Sequence, residues 1–157
     1  MEKMSRRNFV KLAGAGSAVA AASAAGVPLA AHVLTSDSGV LRFSATGGLP
    51  KKPLPSYATH VVEGTVDLAK GSGLVNSRVL AGHPGEPSIV GLPGLSRVYT
   101  ITGIETDGAV YRLRGMVEDR SQLLRGESAT VEILVDQQKK LVHLPFSGNP
   151  STLTLAP

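Results

Sequence analysis

The chain is 157 residues long and has neither cysteine nor tryptophan, which excludes disulfides, thiolate zinc sites, iron–sulfur clusters and a cysteine-ligated copper centre. Its formal net charge of +4 is concentrated at the start: residues 1–31 hold four of the 16 Lys and Arg but only one of the 12 Asp and Glu, leaving +1 for the remainder. That remainder, with Phe43, Tyr57, Tyr99, Tyr111 and Phe146 as its aromatic residues, has neither the basic stripe nor the stacking platforms of a nucleic-acid binder.

In residues 1–31, Lys3, Arg6, Arg7 and Lys11 precede a weakly apolar stretch of Ala, Gly, Ser and Val running from Leu12 to Leu34. Charged, then weakly apolar, then small is the layout of a cleavable export signal. The alternative is a membrane anchor, which needs about 20 strongly apolar residues. Ala and Gly stand here where Leu, Ile and Phe would be needed, and Pro28 followed by Ala30-Ala31 suits a processing region. Within this segment, Ser5-Arg6-Arg7-Asn8-Phe9-Val10-Lys11 resembles the twin-arginine (Tat) signal motif position by position, with Ser5, Arg6, Arg7, Phe9 and Lys11 as its export-signal residues. The resemblance covers residues 1–31. It implies recognition by the Tat translocase, folding before transport, transient membrane contact through the signal, and delivery to the periplasm, the cell surface or the medium. It also implies that a partner protein can travel bound to the folded cargo.

Residues 32–58 read as a tether, with Gly47-Gly48, Pro50, Pro53 and Pro55 after a short strand at Val40–Ala45. Residues 59–157 then form one domain. Period-two alternation begins at His60–Leu68, with Val62, Val66 and Leu68 on one face and Val61, Glu63, Thr65 and Asp67 on the other. Short strands at Arg78–Ala81 and Ser88–Gly91 flank a loop rich in Gly and Pro. Asp107-Gly108 predicts a tight hairpin. Centring the turn there sets Ile104 opposite Tyr111, Thr102 opposite Leu113 and Val98 opposite Val117, with Tyr99, Ile101 and Glu105 on the other face. After a polar loop over Asp119–Ser128, strands follow at Thr130–Asp136, Leu141–Phe146 and Thr152–Ala156. About eight short strands, frequent turn signals and almost no helix predict an all-β fold: an antiparallel β-sandwich, with a small β-barrel as the alternative. The stretch Arg125–Ile133 resembles the loop and strand entry of immunoglobulin-like modules.

Chemistry-bearing residues are sparse. His60, His83 and His143 are separated by tens of residues and lack metal-motif spacing, so each reads first as an ordinary strand or loop residue. His32 differs. Cleavage after Ala31 would make it the first residue of the processed chain, where its α-amino group and imidazole could chelate Cu(II) together. This is similar to the amino-terminal histidine brace of exported copper proteins. A second imidazole would then come from His60, His83 or His143. Ser121, Asp119 and His143 can be drawn into a triad, but no Gly-x-Ser-x-Gly elbow supports one. The neighbouring carboxylates Glu118 and Asp119 should point to opposite faces of a strand. With no catalytic residue or cofactor-binding motif to name, the sequence points to a non-catalytic binding, accessory or structural module of the cell envelope. A copper protein using His32 is the alternative.

Overall fold

The computed structural model describes residues 39–49 and 58–157. Nine strands run in chain order: β1 (Val40–Gly48), β2 (Ala58–Asp67), β3 (Ser72–His83), β4 (Glu86–Gly91), β5 (Arg97–Asp107), β6 (Val110–Val117), β7 (Thr130–Asp136), β8 (Leu141–His143) and β9 (Thr152–Leu155). Among the described residues the one helical element is a three-residue 3-10 turn, η1 (Arg120–Gln122).

All the strand pairings are antiparallel and they close on themselves. Following the hydrogen bonds gives β2-β1-β9-β8-β7-β6-β5-β3, and β3 pairs again with β2. Eight strands therefore form a closed barrel, and β4 is an extra strand attached to the far end of β3. The sandwich expected from strand count and spacing is thus corrected to its barrel alternative, and the immunoglobulin-like resemblance of Arg125–Ile133 does not carry over to the architecture. The reason is visible in the pairing. β2 and β3 stay in register along ten residue pairs, from Ala58↔Ala81 to Asp67↔Ser72, while β1 pairs with both β2 and β9. A sandwich would have left two edges open at these places.

β1 lies inside the stretch that composition assigns to a tether, yet Val40–Gly48 is a full stave of the barrel. It extends beyond the short strand expected at Val40–Ala45. Its inward residues Leu41, Phe43 and Ala45 are buried.

Three glycines permit the closure. A Cβ on Gly64 would collide with the ring of Phe43, its cross-strand partner. One on Gly73 would run into the Thr65 carbonyl and lie 2.6 Å from the Val66 Cα, and one on Gly115 would lie 2.6 Å from the Thr100 carbonyl oxygen. At these points strands bend over one another too closely for a side chain, which is how small barrels turn their corners. The interior is filled by side chains, as an eight-strand barrel allows. Val62, Val66, Val75, Tyr99, Ile101, Leu113, Ile133, Val135, Val142, Leu144, Leu153 and Leu155 form its main cluster with the β1 residues. The outer wall of β5, β6 and β7 carries the crossed ion pairs of Arg112 and Arg114 with Glu105 and Glu132.

The two barrel ends differ. At one, β2–β3, β5–β6 and β7–β8 are joined by tight turns of two to four residues. The other collects, among the described residues, the longer connections 84–96 with β4, 118–129 with η1, and 144–151.

Candidate functional site

Long connections on a rigid barrel are where binding and catalytic groups are usually displayed. Among the described residues, most of the buried polar side chains gather at that end, Ser44 in β1 and Asp136 at the turn after β7 being the exceptions. β2 brings His60 inward one step beyond Val62, β3 brings Ser77 and Val79, β5 begins with Arg97, and the 144–151 connection contributes Phe146 and Ser151. His60 and Val79 are fully buried, and Ser77, Arg97, Phe146 and Ser151 are at most 2% exposed.

His60 is held on both ring nitrogens. Its Nε2 shares a 2.7 Å hydrogen bond with Ser77 Oγ, and its Nδ1 lies 3.4 Å from Ser151 Oγ. A hydroxyl can donate or accept, so the two serines satisfy either neutral tautomer. The ring of Phe146 meets the imidazole edge-on at 5.0 Å between centroids. Burial lowers the His60 pKa from its ordinary value to about 4, because a charged imidazolium there would lose its hydration.

Arg97 is neutralised beside it. The guanidinium donates from Nη2 to Glu127 Oε2 at 2.9 Å and from Nε to Glu127 Oε1 at 3.3 Å. Nη1 donates to the carbonyls of Gly94 and Ser96, both at 2.9 Å. Glu127 Oε2 also accepts from the Leu124 amide at 2.8 Å. A forked, fully bonded pair of this kind fixes geometry strongly. It ties β5 to the connections before it and before β7. Tyr99, next inward along β5, has its phenol pushed up to about 12, by burial first and then by the negative charge of Glu127.

The other candidates separate. Ser121 and Asp119 are joined by a 2.6 Å hydrogen bond, but Asp119 is the N-cap of η1 and also accepts from the Ser121 amide. Those bonds hold the Asp119 carboxyl below the usual carboxylate range. His143 is on a different stave, where its Nδ1 bonds Thr152 Oγ1 at 2.9 Å, so the three residues do not form a relay. Glu118 accepts from the Thr100 hydroxyl. His83 is the exposed last residue of β3, and its Nδ1 accepts from the Gly85 amide in the turn that follows. Among the described residues no group of three or more His, Asp or Glu side chains is placed to hold a metal. His32 and the signal residues Ser5, Arg6, Arg7, Phe9 and Lys11 lie outside the described residues. For a histidine brace, His60 is a poor second ligand because both its nitrogens are engaged and buried, which leaves His83 and His143.

Sequence reasoning did not pick out Arg97, Glu127, Ser77 or Ser151. Two signals were available: Arg97 opens a strand whose next alternate positions, Tyr99 and Ile101, are apolar, and His60 occupies the Val62/Val66 face. In comparisons with known proteins, no family model, no curated protein and no solved structure matches this chain.

Proposed function

We propose that this chain is an exported, non-catalytic barrel serving as a binding, accessory or structural module of the cell envelope, carried by the Tat translocase in the folded state. One observation carries the non-catalytic reading. At the barrel end that holds most of the buried polar side chains among the described residues, His60 and Arg97 are saturated by internal partners and shielded from solvent. Groups so engaged act as fasteners, whereas an acid, base or nucleophile needs a bond left open toward a substrate. The distribution of polarity supports a role outside the bilayer, since the apolar residues face inward and Glu105, Arg112, Arg114 and Glu132 face out. A membrane-spanning barrel has the reverse arrangement, with an apolar band on its outer wall.

Export and cargo state are testable together. Replacing the pair Arg6→Lys and Arg7→Lys should leave a folded, unprocessed precursor in the cytoplasm, read by fractionation and intact mass. Unchanged export would remove the Tat reading. Native-state purification of the exported wild type should recover a stoichiometric protein partner if the barrel travels as a companion, and a lone monomer would count against that version. Amino-terminal sequencing of the same material, followed by copper titration, separates the alternative: a chain starting at His32 and binding one copper would replace the non-metal reading.

A further inference from the structure

The 144–151 connection is built as a small folded cap. The Leu144 amide donates to the Ser151 carbonyl at 3.0 Å, and Phe146 and Asn149 exchange backbone hydrogen bonds of 2.8 and 3.0 Å. At its tip Ser147 and Gly148 both adopt positive φ, 51° and 77°, a conformation that disfavours a residue such as Ser147. Three side chains of this cap point into the barrel: Leu144 joins the main core cluster, while Phe146 and Ser151 both meet the same imidazole. His60 in turn is anchored to the wall through Ser77. That ring therefore couples the cap to the staves, alongside the packing of Phe146 on Ala58 and Val79.

Among the described residues that ring has no counter-ion. Val79 from β3, and Phe146 and Ser151 from the cap, are neutral, as is Ser77. Among the described residues, the buried charged groups at this end are Arg97 of β5, the cross-strand partner of Ser77, and Glu127 of the connection before β7, while Glu86, Glu118, Asp119, Arg120 and Arg125 of the same connections are exposed to solvent. The Glu127 carboxylate is already forked onto Arg97, so the pair offers no net negative charge. A second positive charge on His60 would be buried without compensation.

We propose that the Leu144–Ser151 connection is an acid-released plug: protonation of His60 drives its ring out of the barrel end and frees the cap, while the eight staves remain paired. Opening would uncover a mouth lined by Ala58, Val79 and Ser77, inward-facing residues that are buried in the closed form.

The sign follows from linkage. A histidine that binds its proton at about 4 when closed, and near 6.5 when exposed, favours the open form as pH falls from about 6.5 to about 4. The separation of the two values sets a ceiling of about 300-fold on the change in the opening equilibrium.

Amide hydrogen exchange, expressed as protection factors at pH 7.5 and pH 3.5, reads this directly. In the wild type, the Leu144 and Phe146 amides should lose protection by up to about 300-fold relative to Leu113 and Ile133, whose amides report the barrel wall. In His60→Gln, which keeps a neutral hydrogen-bonding side chain, that relative loss should vanish. The plug is overturned if cap and wall amides lose protection together, if the cap shows no pH dependence, or if the loss persists in His60→Gln. Should that variant fail to fold, the wild-type imidazole titration followed by NMR decides. A midpoint coinciding with cap opening supports the plug, and midpoints more than one pH unit apart overturn it.

Discussion

Closure of this barrel depends on positions where a methyl group cannot fit. Gly115 faces the Thr100 carbonyl at 2.6 Å and the Ile101 Cδ1 at 2.9 Å from where a Cβ would be. The carbonyl belongs to backbone and cannot swing aside. Gly115→Ala should therefore cost about 1–3 kcal/mol, the range for overpacking, measured as a lower urea midpoint with unchanged slope. Gly103 is the control. It lies at the register shift between β5 and β6, has no positive φ, and has nothing within 4 Å of a would-be Cβ. Gly103→Ala should be neutral or stabilise by up to about 1 kcal/mol, because it narrows the freedom of the unfolded chain. Equal losses at both positions would show that conformational freedom, not close approach, is what matters at these glycines.

Among the elements, the hairpin β5–β6 shows what sequence could and could not give. The turn was legible, because Gly108 supplies the positive φ, 57°, that a two-residue loop needs. The loop sits one residue later than a turn centred on Asp107-Gly108: Asp107 pairs with Val110 and Ile104 with Leu113. That displacement moves each pairing by two, so every residue near the turn keeps its face. Beyond it a bulge between Ile101 and Gly103 shifts the register by one. Tyr99 and Ile101 therefore turn into the core although Ile104, on the other side of the bulge, also packs against it. A single inserted residue reverses the parity of everything upstream, and no pattern count anticipates it. β2 has no such bulge, and the face expected to carry Val62 and Val66 does turn into the core, although Val61 on the other face is buried as well. The barrel itself was less legible, since closure is a statement about β2 meeting β3 and β1 meeting β9, and distant pairings leave no local trace.

Arg97 and Glu127 belong to the same scale, because they join the start of β5 to its neighbouring connections. Side-chain exposure is 0% for Arg97 and 6% for Glu127, so removing one partner strands the other away from water. Arg97→Met should cost about 3–5 kcal/mol, and Glu127→Leu a comparable amount, since it leaves the guanidinium uncompensated. The double variant should lose clearly less than the two single losses combined, as expected for contacting residues. Additive losses in urea unfolding would mean that the two groups stabilise their connections separately.

For the molecule as a whole, the response to acid follows from His60. Asp67 and Asp119 also have lowered values, from hydrogen bonds to Lys70 and to Ser121 respectively, but both are at the surface, where such pairs are screened. His60 is buried, and its value lies below that of an unfolded histidine. Above pH 6.5 neither the folded nor the unfolded form carries the proton, and stability does not change with pH on this account. Between about 6.5 and about 4 the unfolded chain binds a proton that the closed barrel refuses, so stability falls as pH falls. The ceiling on that loss is about 3 kcal/mol, from a separation of roughly 2.5 pKa units. Release of the 144–151 cap changes the limit, because an open barrel can take up the same proton without unfolding. Urea titrations of the wild type from pH 7.5 to pH 3.5 should then show global stability falling at first and levelling off before the full 3 kcal/mol is lost. In His60→Gln this portion of the curve should be flat. A wild-type loss that runs smoothly to the ceiling, with cap and wall unfolding in one transition, would mean that His60 is a fastener of the whole fold and that the barrel end does not open ahead of it.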